Sequence, residues 1–220
     1  MSQPIGIIFD MDGVIVDNHK YHMQAWQTFC QKYDIPLTED DYRDNINGRT
    51  APAIMQYLFG EDITPELILE YTIEKESLYR ELFAPHLAPT PGLRSFLDDA
   101  LAAQLPMAVA TSAPTENVEF TLDGLGIRKY FSAILDQHAV TQGKPHPEVY
   151  TKACASLELP PEKCVVFEDA ISGIKAGLAA GCTVIGVATS HSKEELTASK
   201  KNIYDFNEIT IDETIATVQA

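Results

Sequence analysis

A short apolar run that ends in two acids and a glycine constrains the fold of this chain more than any other stretch. Residues 5–9 are apolar, interrupted only by Gly6, and such a short run bounded by a turn signal is typical of a buried strand. Asp10 and Asp12 follow where the strand ends, and Gly13 allows the backbone to turn sharply. Because charges beside a buried strand lose hydration, these acids indicate a bound metal ion or cationic ligand.

Strand and helix patterns alternate through the second half of the chain. The predicted strands are Met107–Ala110, Ser132–Leu135, Cys164–Phe167 and Thr183–Val187, and the predicted helices span residues 92–103, 116–125, 147–157 and 171–180. Strands separated by helices of this length pair in parallel through right-handed crossovers. After Ser192 the pattern indicates a helix, a short strand near Ile203 and a final helix. We therefore expect the first strand to join a doubly wound, Rossmann-like parallel sheet.

The segment that follows the first strand has only helical periodicity. Apolar and aromatic residues recur at four-residue spacing in residues 21–33, and Thr64 followed by proline indicates the start of a long helix. The proline-rich stretch 85–91 is interpreted as a hinge or linker. Shorter helices are expected at residues 39–46 and 51–59. The predicted domains are an α/β core, residues 1–17 and 88–220, and an inserted all-α cap, residues 18–87.

Polar side chains follow each predicted strand, at the edge where open parallel sheets bind ligands. They are Asp10 and Asp12 after the first strand, Thr111 and Ser112 after the second, Lys144 beyond the third, and Glu168 and Asp169 after the fourth. Hard oxygen ligands in this number suit Mg2+ rather than zinc. Lysine and hydroxyl donors beside a divalent cation suit a phosphoryl group.

These residue types supply the roles that phosphoryl transfer needs. A carboxylate can attack phosphorus, so Asp10 is the predicted nucleophile, and Asp12 is the predicted general acid and base. Thr111 would donate a hydrogen bond to a phosphate oxygen, and Lys144 would balance charge on the nucleophile and phosphate. The predicted metal ligands are Asp10, Asp12, Glu168 and Asp169.

The ordered set Asp10-Met-Asp-Gly-Val14, Thr111-Ser112, Lys144 and Glu168-Asp169 resembles the four motifs of the haloacid dehalogenase-like superfamily. The resemblance extends over nearly the whole chain, including a helical cap inserted after the first motif. It implies a Mg2+-dependent phosphatase or phosphomutase with an aspartate nucleophile, whose cap closes over the site. Within the superfamily the chain looks most like the β-phosphoglucomutases and related sugar-phosphate phosphatases.

This resemblance also implies substrate-binding residues in the cap. They are Asn18, His22, Arg49 and Lys75, although a structural role for His22 is an equal alternative. The chain departs from the mutases at two points. Gly48 and Arg49 are adjacent, whereas the mutases separate the corresponding pair by two residues, and Pro114 stands where the mutases carry a polar residue. Both departures favour a phosphatase over a mutase.

The predicted function is hydrolysis of a small phosphorylated metabolite, with a sugar phosphate as the leading candidate, through an aspartyl phosphate on Asp10. One alternative is a β-phosphoglucomutase, in which a sugar hydroxyl takes the phosphoryl group. An alternative of another class is a non-catalytic module that binds a phosphometabolite. The acidic pair after the fourth strand argues against a metal-free dehalogenase. A calcium loop is disfavoured because Tyr21 stands where the loop requires glutamate.

Composition limits the partners and the compartment. A net charge of −16 disfavours nucleic acid and anionic membrane surfaces, so a small-molecule phosphate ester is the expected partner. The four cysteines form no C-x-x-C pair, which indicates reduced thiols rather than zinc ligands or disulfides. Residues 1–4 lack the basic start of a signal peptide, and no segment approaches the ~20 apolar residues of a membrane span. We therefore expect a cytoplasmic monomer.

Overall fold

The computed structural model describes residues 5–46 and 49–219. These residues form two compact units, the core unit, which contains the chain up to Asp17 and from Leu87 onward, and the helical unit, Asn18–His86. Residues 1–4, on which the expected lack of a signal peptide depends, lie outside the described residues. So do Asn47 and Gly48, the second of which is the glycine adjacent to Arg49.

Six parallel strands form one sheet in the described part of the core unit, in the order β3-β2-β1-β4-β5-β6. The strands are β1 (Gly6–Phe9), β2 (Met107–Ala110), β3 (Ala133–Leu135), β4 (Cys164–Glu168), β5 (Thr183–Val187) and β6 (Lys201–Ile203). The apolar run β1 lies at the centre, and the strand order reverses between β1 and β4. Ligands bind at such a reversal, beyond the carboxyl ends of the strands.

Helices cover both faces of this sheet, which confirms the predicted doubly wound fold. The core helices are α5 (Leu93–Ala102), α6 (Thr115–Gly124), α7 (Glu148–Ser156), α8 (Ile171–Ala180) and α9 (Ile211–Gln219). Consecutive residues of a strand point to opposite faces. Ile8 accordingly joins the apolar cluster of α7 and α8. Phe9 contacts Phe96 of α5 and Phe206 on the other face, with ring centroids 6.2 and 6.0 Å away.

The helical unit contains no strand among its described residues. Its helices are α1 (His19–Lys32), α2 (Glu39–Asp41), which continues into a π-helical turn at Tyr42–Ile46, α3 (Ala51–Phe59) and α4 (Pro65–Phe83). The Thr64 hydroxyl accepts a hydrogen bond from the Leu67 N–H, so the predicted N-cap of α4 is present. An aromatic and aliphatic cluster that includes Trp26 and Phe29 forms the interior of this unit.

The two chain segments that lead into and out of the helical unit are joined by hydrogen bonds within the core unit. The Thr90 hydroxyl donates to the Val14 carbonyl at 2.6 Å, and the Thr90 N–H donates to the Ile15 carbonyl at 2.9 Å. Thr90 is buried. The region around Val14 and Ile15 is therefore fixed directly after the acidic motif.

The predicted helix after Ser192 is wrong, because residues 192–200 form turns. The Asn202 side-chain amide donates to the carbonyls of Lys193 and Leu196, at 2.8 and 3.1 Å. A helix would instead satisfy these carbonyls with N–H groups four residues on. The short strand and the last helix are present as expected. None of the helices in residues 5–46 and 49–219 is long and apolar enough to cross a bilayer.

Candidate active site

Three buried carboxylates meet where β1 and β4 end. The Asp10 N–H donates to the Phe167 carbonyl at 3.0 Å, which ties the end of β1 to β4. Glu168 is the last residue of β4, and Asp169 follows it. One carboxylate oxygen from each of Asp10, Glu168 and Asp169 lies within 4.8 Å of the other two. The structure thus brings together acids that are far apart in the sequence.

Lys144, in the loop before α7, supplies a positive charge to this group. Its Nζ lies 3.0 Å from Asp10 Oδ1 and 2.7 Å from Glu168 Oε1. A longer hydrogen bond of 3.4 Å runs from Nζ to the Ala110 carbonyl at the end of β2. The side chain is only 8% exposed. Burial alone would lower the pKa of Lys144, but the two carboxylates raise it above its ordinary value, so the group stays cationic.

Burial dominates the ionisation of the aspartates. It raises the pKa of the Asp10 carboxyl to about 7. The Lys144 charge opposes this rise, whereas the charges of Glu168 and Asp12 add to it. Burial also raises the pKa of Asp169 well above its ordinary value, and the neighbouring acids raise it further. In the part of the chain that the structure describes, these buried acids therefore share the ammonium of Lys144, which balances their negative charge only in part.

Glu168 is the most enclosed member of the group, with 0% of the residue exposed. Its Oε1 accepts hydrogen bonds from Lys144 Nζ at 2.7 Å and from the Tyr150 hydroxyl at 2.8 Å. Its Oε2 accepts a hydrogen bond from the Ala170 N–H at 2.9 Å. Burial and the adjacent carboxylate raise the pKa of Tyr150, which therefore remains a neutral donor. Sequence reasoning missed Tyr150, because an aromatic residue in the 147–157 helix pattern indicates only packing.

Asp12 is placed differently from the other predicted metal ligands. Its side chain is not part of the three-carboxylate group found in the described residues. It is half-buried in a turn, where it forms a β-bridge with Val16. At Gly13 the backbone has φ +76°, and a Cβ there would lie 3.0 Å from Asp169 Oδ1 and closer still to Oδ2. Glycine at this position lets the turn pass directly against Asp169.

Thr111 and Ser112 follow β2, as predicted, but their surroundings differ. Thr111 is buried, and its N–H donates to the Leu135 carbonyl at 2.9 Å. Its Oγ1 accepts a hydrogen bond from the Ala113 N–H at 3.1 Å, which leaves the hydroxyl proton for another acceptor. Ser112 is exposed. Thr111 is therefore the better fixed of the two candidate phosphate donors.

A further loop, residues 188–191 after β5, holds the backbone of the acidic motifs in place. The Thr189 hydroxyl donates to the Gly13 carbonyl at 2.6 Å, and the Ser190 hydroxyl donates to the Asp169 carbonyl at 3.0 Å. His191 Nδ1 lies 3.1 Å from the same Asp169 carbonyl. These residues are absent from the predicted site, although they follow β5 as the predicted site residues follow the other strands.

Three of the predicted cap residues lie together inside the helical unit. Lys75 Nζ donates to His22 Nδ1 at 2.9 Å and forms an ion pair with Glu76 Oε1 at 2.9 Å. The His22 ring stacks on the Tyr79 ring with centroids 3.8 Å apart. The Asn18 side-chain amide donates to the Tyr79 hydroxyl at 2.6 Å. These contacts hold the polar cluster in place. They also show that His22 contributes to the structure of the helical unit.

Arg49, the fourth predicted cap residue, is exposed. Its N–H donates to the Ile46 carbonyl at 3.1 Å, which caps the π-helical turn that precedes it. The exposure of Arg49 gives no indication that its side chain belongs to the cluster of Lys75 and His22. Its predicted role as a substrate clamp therefore depends on the resemblance alone.

Comparison with known proteins identifies the family. Residues 7–187 match the haloacid dehalogenase-like hydrolase family. The chain belongs to this family. It is 34% identical over 179 residues to a phosphorylated carbohydrates phosphatase of Thermotoga maritima, covering 80% of this chain and 81% of the relative. It is 31% identical over 193 residues to a β-phosphoglucomutase of Bacillus subtilis, covering 82% of each.

A solved structure extends the likeness to the whole haloacid dehalogenase-like fold. The crystal structure of a HAD hydrolase, family IA, variant 3, from Entamoeba histolytica matches with a TM-score of 0.91 at 29% identity. The match covers 98% of this chain and 100% of that one. The predicted superfamily and the predicted fold are both confirmed. The relatives of this hydrolase include enzymes named as phosphatases and enzymes named as β-phosphoglucomutases.

The acidic group of this haloacid dehalogenase-like hydrolase fits a divalent cation. All three side chains of the group, Asp10, Glu168 and Asp169, offer carboxylate oxygens, the donor type that Mg2+ prefers. They are buried, and Lys144 is their ion-pair partner among residues 5–46 and 49–219, so a cation of charge +2 would offset the remaining negative charge. The arrangement thus places a buried carboxylate, a fixed ammonium and a group of oxygen donors at one edge of the sheet. That combination suits attack on an anionic phosphate.

Proposed function

We propose that this hydrolase is a Mg2+-dependent phosphatase that hydrolyses a small phosphorylated metabolite, a sugar phosphate in particular. The observation that carries the proposal is the position of Asp10, buried at the reversal of the sheet, 3.0 Å from Lys144 and grouped with Asp169. The relative named as a phosphorylated carbohydrates phosphatase supports the substrate class.

In the first step an Asp10 carboxylate oxygen attacks phosphorus. The phosphorus–oxygen bond to the alcohol breaks, Asp12 gives its proton to the leaving oxygen, and an aspartyl phosphate forms. In the second step Asp12 takes a proton from water as the water oxygen attacks phosphorus. The bond between phosphorus and Asp10 then breaks, which releases inorganic phosphate and restores the carboxylate.

The remaining core residues bind and balance charge. Lys144 would neutralise the anionic phosphate and Asp10, and Thr111, with Ser112, would donate hydrogen bonds to phosphate oxygens. Asp10 and Asp169 would hold Mg2+, with the Glu168 and Asp12 charges beside them. When bound, Mg2+ supplies charge that screens the nucleophile from the phosphate. We further propose that residues of the helical unit bind the rest of the substrate, namely Asn18, His22, Arg49 and Lys75.

The test is turnover of a panel of phosphate esters by the purified protein with Mg2+. We expect release of inorganic phosphate from sugar phosphates by the wild type and none by Asp10→Asn, which keeps the shape of the side chain but removes its nucleophilic charge. Circular dichroism would verify that the variant folds. Turnover of Asp10→Asn at the wild-type rate would contradict the proposal.

A β-phosphoglucomutase is the second candidate, because a relative 31% identical to this chain has that name. In a mutase the aspartyl phosphate donates to a sugar hydroxyl instead of water. Incubation with β-glucose 1-phosphate separates the two, since a mutase yields an isomerised sugar phosphate and a phosphatase yields free phosphate. Binding of a sugar phosphate without any turnover would instead favour the non-catalytic module.

A further inference from the structure

Tyr150 is a fully buried tyrosine with a single polar contact at the acidic group. It lies in the first turn of α7, and its ring packs in the apolar cluster between the sheet and α7 and α8. Its hydroxyl donates to Glu168 Oε1 at 2.8 Å. The Lys144 ammonium lies 5.0 Å from the centre of the Tyr150 ring. The side chain thus borders both partners of the Lys144–Glu168 ion pair.

The Glu168 carboxylate is held from several sides. Besides Tyr150 and Lys144, the Ala170 N–H donates to Oε2 at 2.9 Å. A Cβ at Gly173 of α8 would lie 2.5 Å from Oε2 and even closer to Oε1, so the carboxylate fills the space that this glycine leaves open. Each donor fixes the orientation of Oε1 or Oε2. Such an arrangement locks a side chain that is itself used to hold another group.

Lys144 needs a partner that does not change during the reaction. Its close carboxylate contacts are Asp10 at 3.0 Å and Glu168 at 2.7 Å. In the proposed cycle Asp10 becomes an acyl phosphate and loses its negative charge on the attacking oxygen. Glu168 forms no covalent bond in this cycle. The position of Lys144 while the aspartyl phosphate exists therefore depends on Glu168.

We propose that Tyr150 is a positioning residue for Lys144 and acts through Glu168, an inference that rests on the proposed function of this site. Its hydroxyl holds Oε1 at the point where the ammonium binds. Without that hydroxyl, Oε1 has Lys144 as its one remaining close donor among these contacts, and the carboxylate gains freedom to rotate. The ammonium then spends less time where it balances the phosphoryl group.

The variant Tyr150→Phe tests this proposal because it keeps the ring and removes only the hydroxyl. The matched control is Tyr130→Phe, since Tyr130 is another buried tyrosine of the core unit whose hydroxyl donates to a carboxylate, that of Asp98. We expect Tyr150→Phe to lower kcat for ester hydrolysis about tenfold, with KM changed less than about twofold. Tyr130→Phe should keep the wild-type kcat.

Non-additivity tests the route through Lys144. In a Lys144→Met background, Tyr150→Phe should cause no further loss of kcat, because the group it positions is already absent. An equal tenfold loss in both backgrounds would overturn the proposal. A wild-type kcat in Tyr150→Phe would overturn it as well.

A spectroscopic measurement decides the inference independently of turnover. The ammonium resonance of Lys144, identified by its loss in Lys144→Met, should shift or broaden in Tyr150→Phe and stay unchanged in Tyr130→Phe. An unchanged resonance in Tyr150→Phe would overturn the proposal. If the wild type hydrolyses no ester, the proposed function fails, and this resonance alone decides whether Tyr150 positions Lys144.

Discussion

Replacing Gly173 by alanine is the most direct perturbation of the Glu168 environment. The new Cβ would fall 2.5 Å from Glu168 Oε2 and closer to Oε1, inside the van der Waals contact distance. Glu168 is completely buried, and a shift of its carboxylate would disturb its hydrogen bonds to Lys144, Tyr150 and the Ala170 N–H. We therefore expect a loss of both stability and activity.

The size of the stability change follows from one stabilising and two destabilising contributions. Alanine is favoured over glycine in a helix by about 1 kcal/mol. Overpacking of a filled site costs about 1–3 kcal/mol, and a hydrogen bond lost from a buried charged group costs about 1.5–3 kcal/mol. The free energy of unfolding of Gly173→Ala should therefore fall by about 3 kcal/mol. Its kcat should fall as well, since Lys144 loses its fixed partner.

Gly177→Ala is the matched control, because Gly177 lies one turn further along α8 and gains the same helix propensity. A Cβ there would approach a Val184 methyl carbon at 2.8 Å and two Val166 carbons at 3.6 Å, so it would disturb apolar packing without touching a hydrogen-bonded carboxylate. We expect its stability to stay within about 1 kcal/mol of the wild type. Urea denaturation followed by circular dichroism is the suitable assay, because the single tryptophan, Trp26, lies in the helical unit and not in the core. Wild-type stability and kcat in Gly173→Ala would refute the reasoning.

Three further outcomes are expected. Lys144→Met should lower kcat at saturating Mg2+ by at least about 100-fold, measured as phosphate release, because no other cation faces Asp10 in the described contacts. Removal of Mg2+ with EDTA should abolish turnover, and added Mg2+ should raise the thermal midpoint of the wild type but not of Asp169→Asn. Hydrogen bonds from Lys152 and the loop backbone lower the pKa of Glu148 to about 2. Its contribution to stability is thus present above the ordinary pKa of about 4.5 and lost as pH falls toward 2, so acid titration should show a smaller loss in Glu148→Gln.

The position of the acids could be predicted because it follows from one geometric rule. Parallel strands end at one edge, so residues that follow β1 and β4 must meet there whatever lies between them in the sequence. The grouping of Asp10, Lys144 and Asp169 depends on this rule and on buried apolar runs that are easily recognised. The position of Asp12 was harder, because it depends on the tight turn at Gly13 rather than on a strand.

The features that were missed depend on tertiary contacts of single atoms. Tyr150 has the same sequence pattern whether its hydroxyl meets Glu168 or solvent. The turns after Ser192 were missed for a similar reason, because the spacing of polar and apolar residues there is compatible with a helix. The Asn202 amide takes the carbonyls that a helix would use, and a single side chain decides the outcome. No local periodicity records such a contact.

The hydrogen bonds from Thr90 to Val14 and Ile15 have a consequence for how proteins of this architecture diversify. They join the segment before the insertion to the segment after it, so the backbone on both sides of the insertion is hydrogen-bonded within the core. Closing a longer flexible loop costs only ~0.6 kcal/mol for each doubling of its length. Inserts of different length therefore differ little in the entropy cost of closing this junction.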